Sequence, residues 1–231
     1  MLQKILVWFI GFSPFTKRWF WKKWYNVFAD RAKNSDFKFM NYGFDENGFF
    51  PDLKTEDKQE RYPIQLYHHV ASQTDLSGKV VLEVGSGRGG GASYVSRYLR
   101  PSSVLGVDIS ESAVELCNSI HAVDNLSFTV GDSEDLPFDA GSFDVVLNVE
   151  SSHCYGSVDQ FLKEVNRVLK PGGHFLWCDL RPPGNINDTY SRFEKAGFNI
   201  VQKRDITKNI LSALSKMTAS RKKAIQERVP G

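Results

Sequence analysis

From residue 80 onward the chain alternates short apolar runs with amphipathic stretches, the pattern of parallel β-α-β units. Runs such as Val80-Val-Leu-Glu-Val84 and Phe143-Asp-Val-Val-Leu-Asn148 are too short for helices and rich in β-branched residues. The pattern predicts strands over 80–84, 103–108, 126–130, 143–148, 174–179 and 198–203, and helices over 90–99, 113–120, 158–169, 189–196 and 206–228. The expected fold class is therefore α/β, a doubly wound, mostly parallel sheet. Upstream, 34–63 is rich in turn formers and charge and reads as a loop-dominated connection, and 63–72 resumes helical spacing through Ile64, Leu66, Tyr67 and Val70.

The segment 15–29 has a different character. Trp19, Phe20, Trp21, Trp24, Tyr25 and Phe28 interleave with Lys17, Arg18, Lys22 and Lys23 at helical spacings. Such a helix either lies in a membrane interface with its aromatics down and its cations toward anionic headgroups, or caps the core with its lysines solvated. The charge distribution keeps both readings open. Residues 1–33 hold Lys4, Lys17, Arg18, Lys22, Lys23, Arg31 and Lys33 against Asp30, a local +6, so the remainder of a chain of net charge +2 carries −4. At 231 residues the chain fits one α/β domain with an appendage. Cys117, Cys154 and Cys178 are isolated thiols without C-x-x-C spacing, which argues for a reducing compartment and against a zinc site. The opening MLQKILVWFIGF is too short to span a bilayer and lacks a signal-peptide cleavage site. The expected location is the cytoplasm, with peripheral membrane contact through residues 1–30 as the alternative.

Candidate chemistry begins at Val81-Leu-Glu-Val-Gly-Ser-Gly-Arg-Gly-Gly-Gly91. Gly85, Gly87 and Gly90 satisfy the dinucleotide pattern G-x-G-x-x-G, while Glu83, Gly85, Gly87 and Gly89 equally satisfy E-x-G-x-G-x-G. Later acids discriminate between the two. Asp108 closes the second predicted strand, where a carboxylate can accept hydrogen bonds from both ribose hydroxyls. Asp132, with Ser133 or Glu134, follows the third strand and could take an adenine amino group; its alternative is an ordinary turn residue. His153 stands just beyond the fourth strand, where an acceptor should arrive, and imidazole titrates near neutrality, so it is a candidate base. Glu150 would orient His153, contact the acceptor, or only tie down loop backbone. His68 and His69 are adjacent on a helix and diverge, so they read as structural or cofactor-adjacent, and no metal site is expected.

The ordered set VLEVGSGRGGG, VLGVDIS, GDSEDLPF, SFDVVLNVESSHCY and EVNRVLKPGGHFLWCD resembles class I S-adenosylmethionine-dependent methyltransferases of the sterol and quinone methylase group. Through LYHHVASQTDLSGK, GRGGGASY, LNVESSHCY and DLRP it is most similar to the phthiotriol/phenolphthiotriol dimycocerosates methyltransferases, lipid O-methylating enzymes. The resemblance implies a Rossmann-like sheet, S-adenosylmethionine as cofactor and a hydrophobic small-molecule or lipid acceptor. It implies that Glu83, Gly85, Ser86, Gly87 and Gly89 line the methionine moiety, Asp108 takes the ribose, Ile109 packs on adenine, Asp132 and Ser133 bind the adenine edge, and Asn148 faces the sulfonium. Tyr42 falls where relatives place an aromatic lid. The family also calls for a further antiparallel strand after the last helix, and residues 229–231 leave no room for one, so a C-terminally truncated domain over 63–231 behind a helical cap over 1–62 is expected. A catalytically silent cofactor-binding or membrane-associated protein is the alternative. A nicotinamide enzyme is disfavoured because Glu83 and GDSEDLPF have no role there, and nucleic acid because the basic patch is small and aromatic and no N-P-P-Y tetrad occurs.

Overall fold

The computed structural model describes residues 13–31, 38–46 and 51–228. Five strands form one all-parallel sheet in the order β3-β2-β1-β4-β5. They are β1 (Val80–Val84), β2 (Ser103–Asp108), β3 (Leu126–Val130), β4 (Phe143–Val149) and β5 (Leu169–Cys178). The helices are α1 (Pro14–Arg31), α2 (Arg61–Ala71), α3 (Gly90–Tyr98), α4 (Glu111–Ile120), α5 (Val158–Val168), α6 (Ile186–Lys195) and α7 (Thr207–Arg228).

Because side chains alternate along a strand, the central strands feed two cores. Val81, Val145 and Leu147 point to one face with Ile64 and Leu66 of α2, Val95 of α3 and Ile210 of α7. Leu82, Val84 and Val146 point to the other with Phe161, Leu162 and Val165 of α5. Local caps fix where helices begin: Ser110 accepts the Ala113 amide at 3.2 Å to start α4, and Ser157 accepts the Gln160 amide at 3.2 Å to start α5.

Two strand expectations are corrected. β5 begins at Leu169, not 174, because Leu169 pairs with Phe143 before the Pro171-Gly-Gly173 turn bulges out and pairing resumes at Val145 opposite His174. The expected strand 198–203 does not form. Its Phe198 ring packs instead on Phe175 and Phe193 at 5.4 and 6.0 Å, Val201 stays 91% exposed, and no described strand lies beside it to complete a ladder.

The segment 38–46 is bound to α7 through the side chain and backbone of Asp45. Asp45 is buried, and its Oδ2 accepts Ser212 Oγ and Lys216 Nζ, both at 2.6 Å, while Asn209 Nδ2 donates to its carbonyl at 2.8 Å. Lys216 is exposed and Ser212 only partly buried, so both donors can turn to water, and Asp45→Ala should lower stability by about 1 kcal/mol, the ordinary net worth of such hydrogen bonds. The check is a shifted urea midpoint at unchanged slope.

Candidate active site

Parallel strands end on a common edge, and all the candidate chemistry lies there. A cavity of about 300 Å³ opens at the carboxyl ends of β1, β2, β3 and β4. Of the residues expected in the site, Gly85, Ser86, Gly87, Asp108, Ile109, Asp132, Ser133, Glu150, His153 and Tyr42 line it. Glu83, Gly89 and Asn148 do not; they stand behind the wall.

Gly85 follows β1 at φ +75°, and a Cβ there would come within 2.6 Å of Tyr155 Oη, so only glycine lets the chain turn at this point. Asp108 ties that loop to the end of β2: its Oδ2 accepts the Gly87 amide at 2.8 Å and its Oδ1 the Ser110 amide at 2.9 Å. Glu83 is fully buried, and Tyr67 Oη donates to its Oε1 at 2.6 Å. Burial pushes the Glu83 carboxyl up to about 8, against the opposing hydrogen bonds of Tyr67 and the Ala92 amide. Asn148 supports the loop, donating through Nδ2 to the Val84 carbonyl at 2.9 Å and reaching Ser151 Oγ at 2.7 Å. Nδ2 of Asn148 is thus engaged by the loop and its Oδ1 is buried without a hydrogen-bond partner among the described residues, so the structure places Asn148 behind the glycine turn.

At the other end of the cavity, Glu150 follows β4 at φ +49°, a left-handed position that costs a non-glycine residue about 1–3 kcal/mol and marks a site fixed by its surroundings. Its amide donates to the Cys178 carbonyl at 2.7 Å, and its Oε2 accepts the Tyr42 amide at 2.8 Å. Burial raises the Glu150 carboxyl to about 7. Glu150 does not orient His153. That role falls to Asp179, whose Oδ1 lies 2.7 Å from His153 Nδ1. Sequence reasoning missed Asp179, although the parallel register Val149 opposite Cys178 sets the residues following β4 and β5 side by side. Burial of the imidazole works against its charge, but the Asp179 carboxylate and Cys154 outweigh it and raise His153 to about 10.

Helix α1 covers this edge. Arg18 Nη1 meets Asp132 Oδ2 at 3.0 Å and Glu134 Oε2 at 3.9 Å, and Lys17 Nζ donates to the His153 carbonyl at 2.8 Å. Trp21 joins the cavity wall, whereas Phe15 and Trp19 remain exposed at 67% and 47%. The expected aromatics Trp24, Tyr25 and Phe28 lie outside the described side chains. His68 and His69 are structural: His68 Nδ1 pairs with Tyr94 Oη at 2.6 Å, and His69 stacks on Phe44 at 4.3 Å. Among the described residues no cluster suits a metal ion, and no helix is long and apolar enough to cross a membrane.

A methyltransferase domain model matches residues 82–177. The chain is 39% identical over 211 residues to the probable phthiotriol/phenolphthiotriol dimycocerosates methyltransferase 2 of Mycobacterium ulcerans, covering 91% of this chain and 82% of that protein. It belongs to this methyltransferase family. Another relative, the fatty-acid O-methyltransferase of Mycolicibacterium smegmatis, is 42% identical over 193 residues, covering 83% of the methyltransferase described here and 70% of its own length. Among solved structures, the [4+2]-cyclase SpnF shares the fold, with a TM-score of 0.69 at 20% identity over 90% of this chain and 83% of that one.

S-adenosylmethionine is the cofactor of this methyltransferase, and the cavity suits it. Ser86 Oγ is buried at the wall with no hydrogen-bond partner among the described residues, and beside Gly87 the cavity is open, since a Cβ there would meet only Met40 Sδ at 3.4 Å. Acidic side chains along the wall suit a ligand carrying ammonium and sulfonium charges. When bound, the cofactor supplies an electrophilic methyl group.

Proposed function

We propose that the methyltransferase transfers a methyl group to an oxygen of a hydrophobic small molecule or lipid. The observation that carries this reading is the continuity of one cavity, in which the glycine loop and Asp108 at one end open directly on Glu150, His153 and the Tyr42 edge at the other. In this assignment Asp108 holds the ribose, Ile109 and the Asp132-Ser133 turn hold the adenine, and the loop from Gly85 to Gly89, backed by Glu83, holds the methionine end. Methyl transfer from a sulfonium is governed by alignment, so the chain's chief task is to fix donor and acceptor in line. Tyr42 and α1 keep water from the reacting centre.

The two relatives are, by their names, methyltransferases of phthiotriol/phenolphthiotriol dimycocerosates and of fatty acids, which favours a lipid acceptor. Exposed Phe15 and Trp19, with Lys23 4.9 Å over the Trp19 ring and Lys22 one helical turn from Trp19, give α1 an outward face suited to an anionic lipid surface. The segment before residue 63 then serves as both cap and lid.

The test is mass spectrometry of a lipid extract incubated with the protein and methyl-labelled cofactor, beside His153→Ala; absence of label in any lipid species ends this reading. The cofactor assignment is checked separately. Losing two charge-assisted bonds to the ribose, Asp108→Ala should weaken S-adenosylhomocysteine binding about 100-fold by calorimetry. An affinity within about threefold of the parent would remove Asp108 from that role.

A further inference from the structure

Asp132, the carboxylate assigned to adenine, is already engaged on both oxygens. Its Oδ1 accepts the Glu134 amide at 2.9 Å, within its own turn, and its Oδ2 accepts Arg18 Nη1 at 3.0 Å from α1. An adenine amino group needs a place on this carboxylate, and of the two donors only Arg18, a long and 38% exposed side chain, can move without unmaking the turn. Under the same helix, a groove of about 310 Å³ lies between α1 and the end of β3. Its apolar walls are Phe15 and Trp19, one turn apart on α1, and Ile109 and Val130 opposite, with Arg18 and Lys22 beside them. Phe15, Trp19 and Val130 are exposed, so these walls are wet. Lys22 is scarcely held: its Nζ lies 3.5 Å from Glu111 Oε1, and both side chains are exposed.

We propose that this groove seats an anionic phospholipid of a membrane surface, and that the headgroup draws Arg18 off Asp132, so that docking on the lipid readies the site for the methyl donor. This rests on the lipid-surface reading of α1 and the adenine assignment of Asp132 given above, and adds to them a seat and a consequence. The acyl chain lies between Phe15, Trp19, Ile109 and Val130 and takes their apolar surface out of water. The headgroup phosphate meets Arg18 and Lys22, and a guanidinium binds phosphate through two parallel hydrogen bonds. A free anion would use the cations and leave the apolar walls wet. A lipid without net charge would fill the groove and leave Arg18 on Asp132. Only a ligand with both parts answers both features. Charge complementarity extends along α1, which carries Lys17, Arg18, Lys22, Lys23 and Arg31 against Asp30. Because Arg18, Ile109 and Asp132 line both the groove and the donor cavity, the affinities of the two ligands are linked.

The experiment uses the full chain, S-adenosylhomocysteine as the probe of the donor site, and vesicles of phosphatidylcholine with or without phosphatidylglycerol. Flotation reads vesicle binding and calorimetry reads probe affinity. Anionic vesicles are expected to tighten probe binding about fivefold or more, the lower end of ordinary coupling between sites, and saturating probe should tighten vesicle binding by the same factor. Phosphatidylcholine alone should do neither. Joint replacement Phe15→Ser and Trp19→Ser should abolish flotation while probe affinity without vesicles stays within about twofold of the parent. Arg18→Gln should bind the probe about fivefold more tightly without vesicles and gain nothing further from them. Flotation on anionic vesicles with unchanged probe affinity would overturn the proposal alone. So would an equal tightening by phosphatidylcholine, or by inorganic phosphate without lipid. No flotation at all would overturn it together with the lipid-surface reading of α1. Lipid methylation is decided apart from these outcomes, by labelled methyl in a detergent-dispersed lipid extract.

Discussion

Gly85→Val is expected to abolish measurable binding of S-adenosylhomocysteine and to cost about 3 kcal/mol or more of folding stability. Both effects follow from one position. The backbone at φ +75° is left-handed, a conformation that a β-branched residue strongly resists. The added Cβ would press on Tyr155 Oη and on Ser151, which are themselves bonded to Asn148 and to each other, so neither can retreat cheaply. Relief comes only by shifting the loop away from β1, which spoils the floor of the cavity. Calorimetric titration and a urea melt measure the two parts. Cofactor affinity within tenfold of the parent would show that the loop is far more compliant than its contacts indicate.

Glu83→Gln should act in the opposite sense on stability. The folded-state carboxyl is raised to about 8 from an ordinary value of 4.5, so the protonated form is the one the fold favours. Its stabilising contribution is complete below about pH 4.5 and is lost as pH rises through about 8. Glutamine keeps an oxygen for Tyr67 Oη without the ionisable group. Above pH 8 the variant should therefore be more stable than the parent by a few kcal/mol, with a flatter stability profile between pH 4.5 and 8. Denaturant melts across this range decide it; parallel profiles for the two proteins would refute the prediction.

Much of this arrangement was legible before any coordinates. The central strands were visible because β1 and β4 are buried on both faces and therefore read as nearly continuous apolar runs, as in Val80-Val-Leu-Glu-Val84. The glycine loop, Asp108 and Asp132 were visible because chain order fixes which strand each follows. Pairing was less legible. The 198–203 stretch has a strand-like composition, yet a strand exists only against a partner, and composition says nothing about that. Asp179 was missed for a related reason. It lies 26 residues from His153 at the end of a different predicted strand, and what joins the two is the lateral adjacency of β4 and β5. The contacts of Lys17 and Arg18 were hidden in the same way, since a basic aromatic helix does not announce which carboxylates it will meet.

Those contacts bear on the order of events during turnover. Arg18 pairs with Asp132, the carboxylate assigned to adenine, and Lys17 is bonded to the carbonyl of His153 at the far end of the same opening. A single helix is thus latched at both ends of the donor's berth. Spent donor leaving, and fresh donor arriving, must each wait for that helix to lift. Helix release is then a step of every turnover, and because the Arg18 latch is an ion pair, dissolved salt is expected to speed that step.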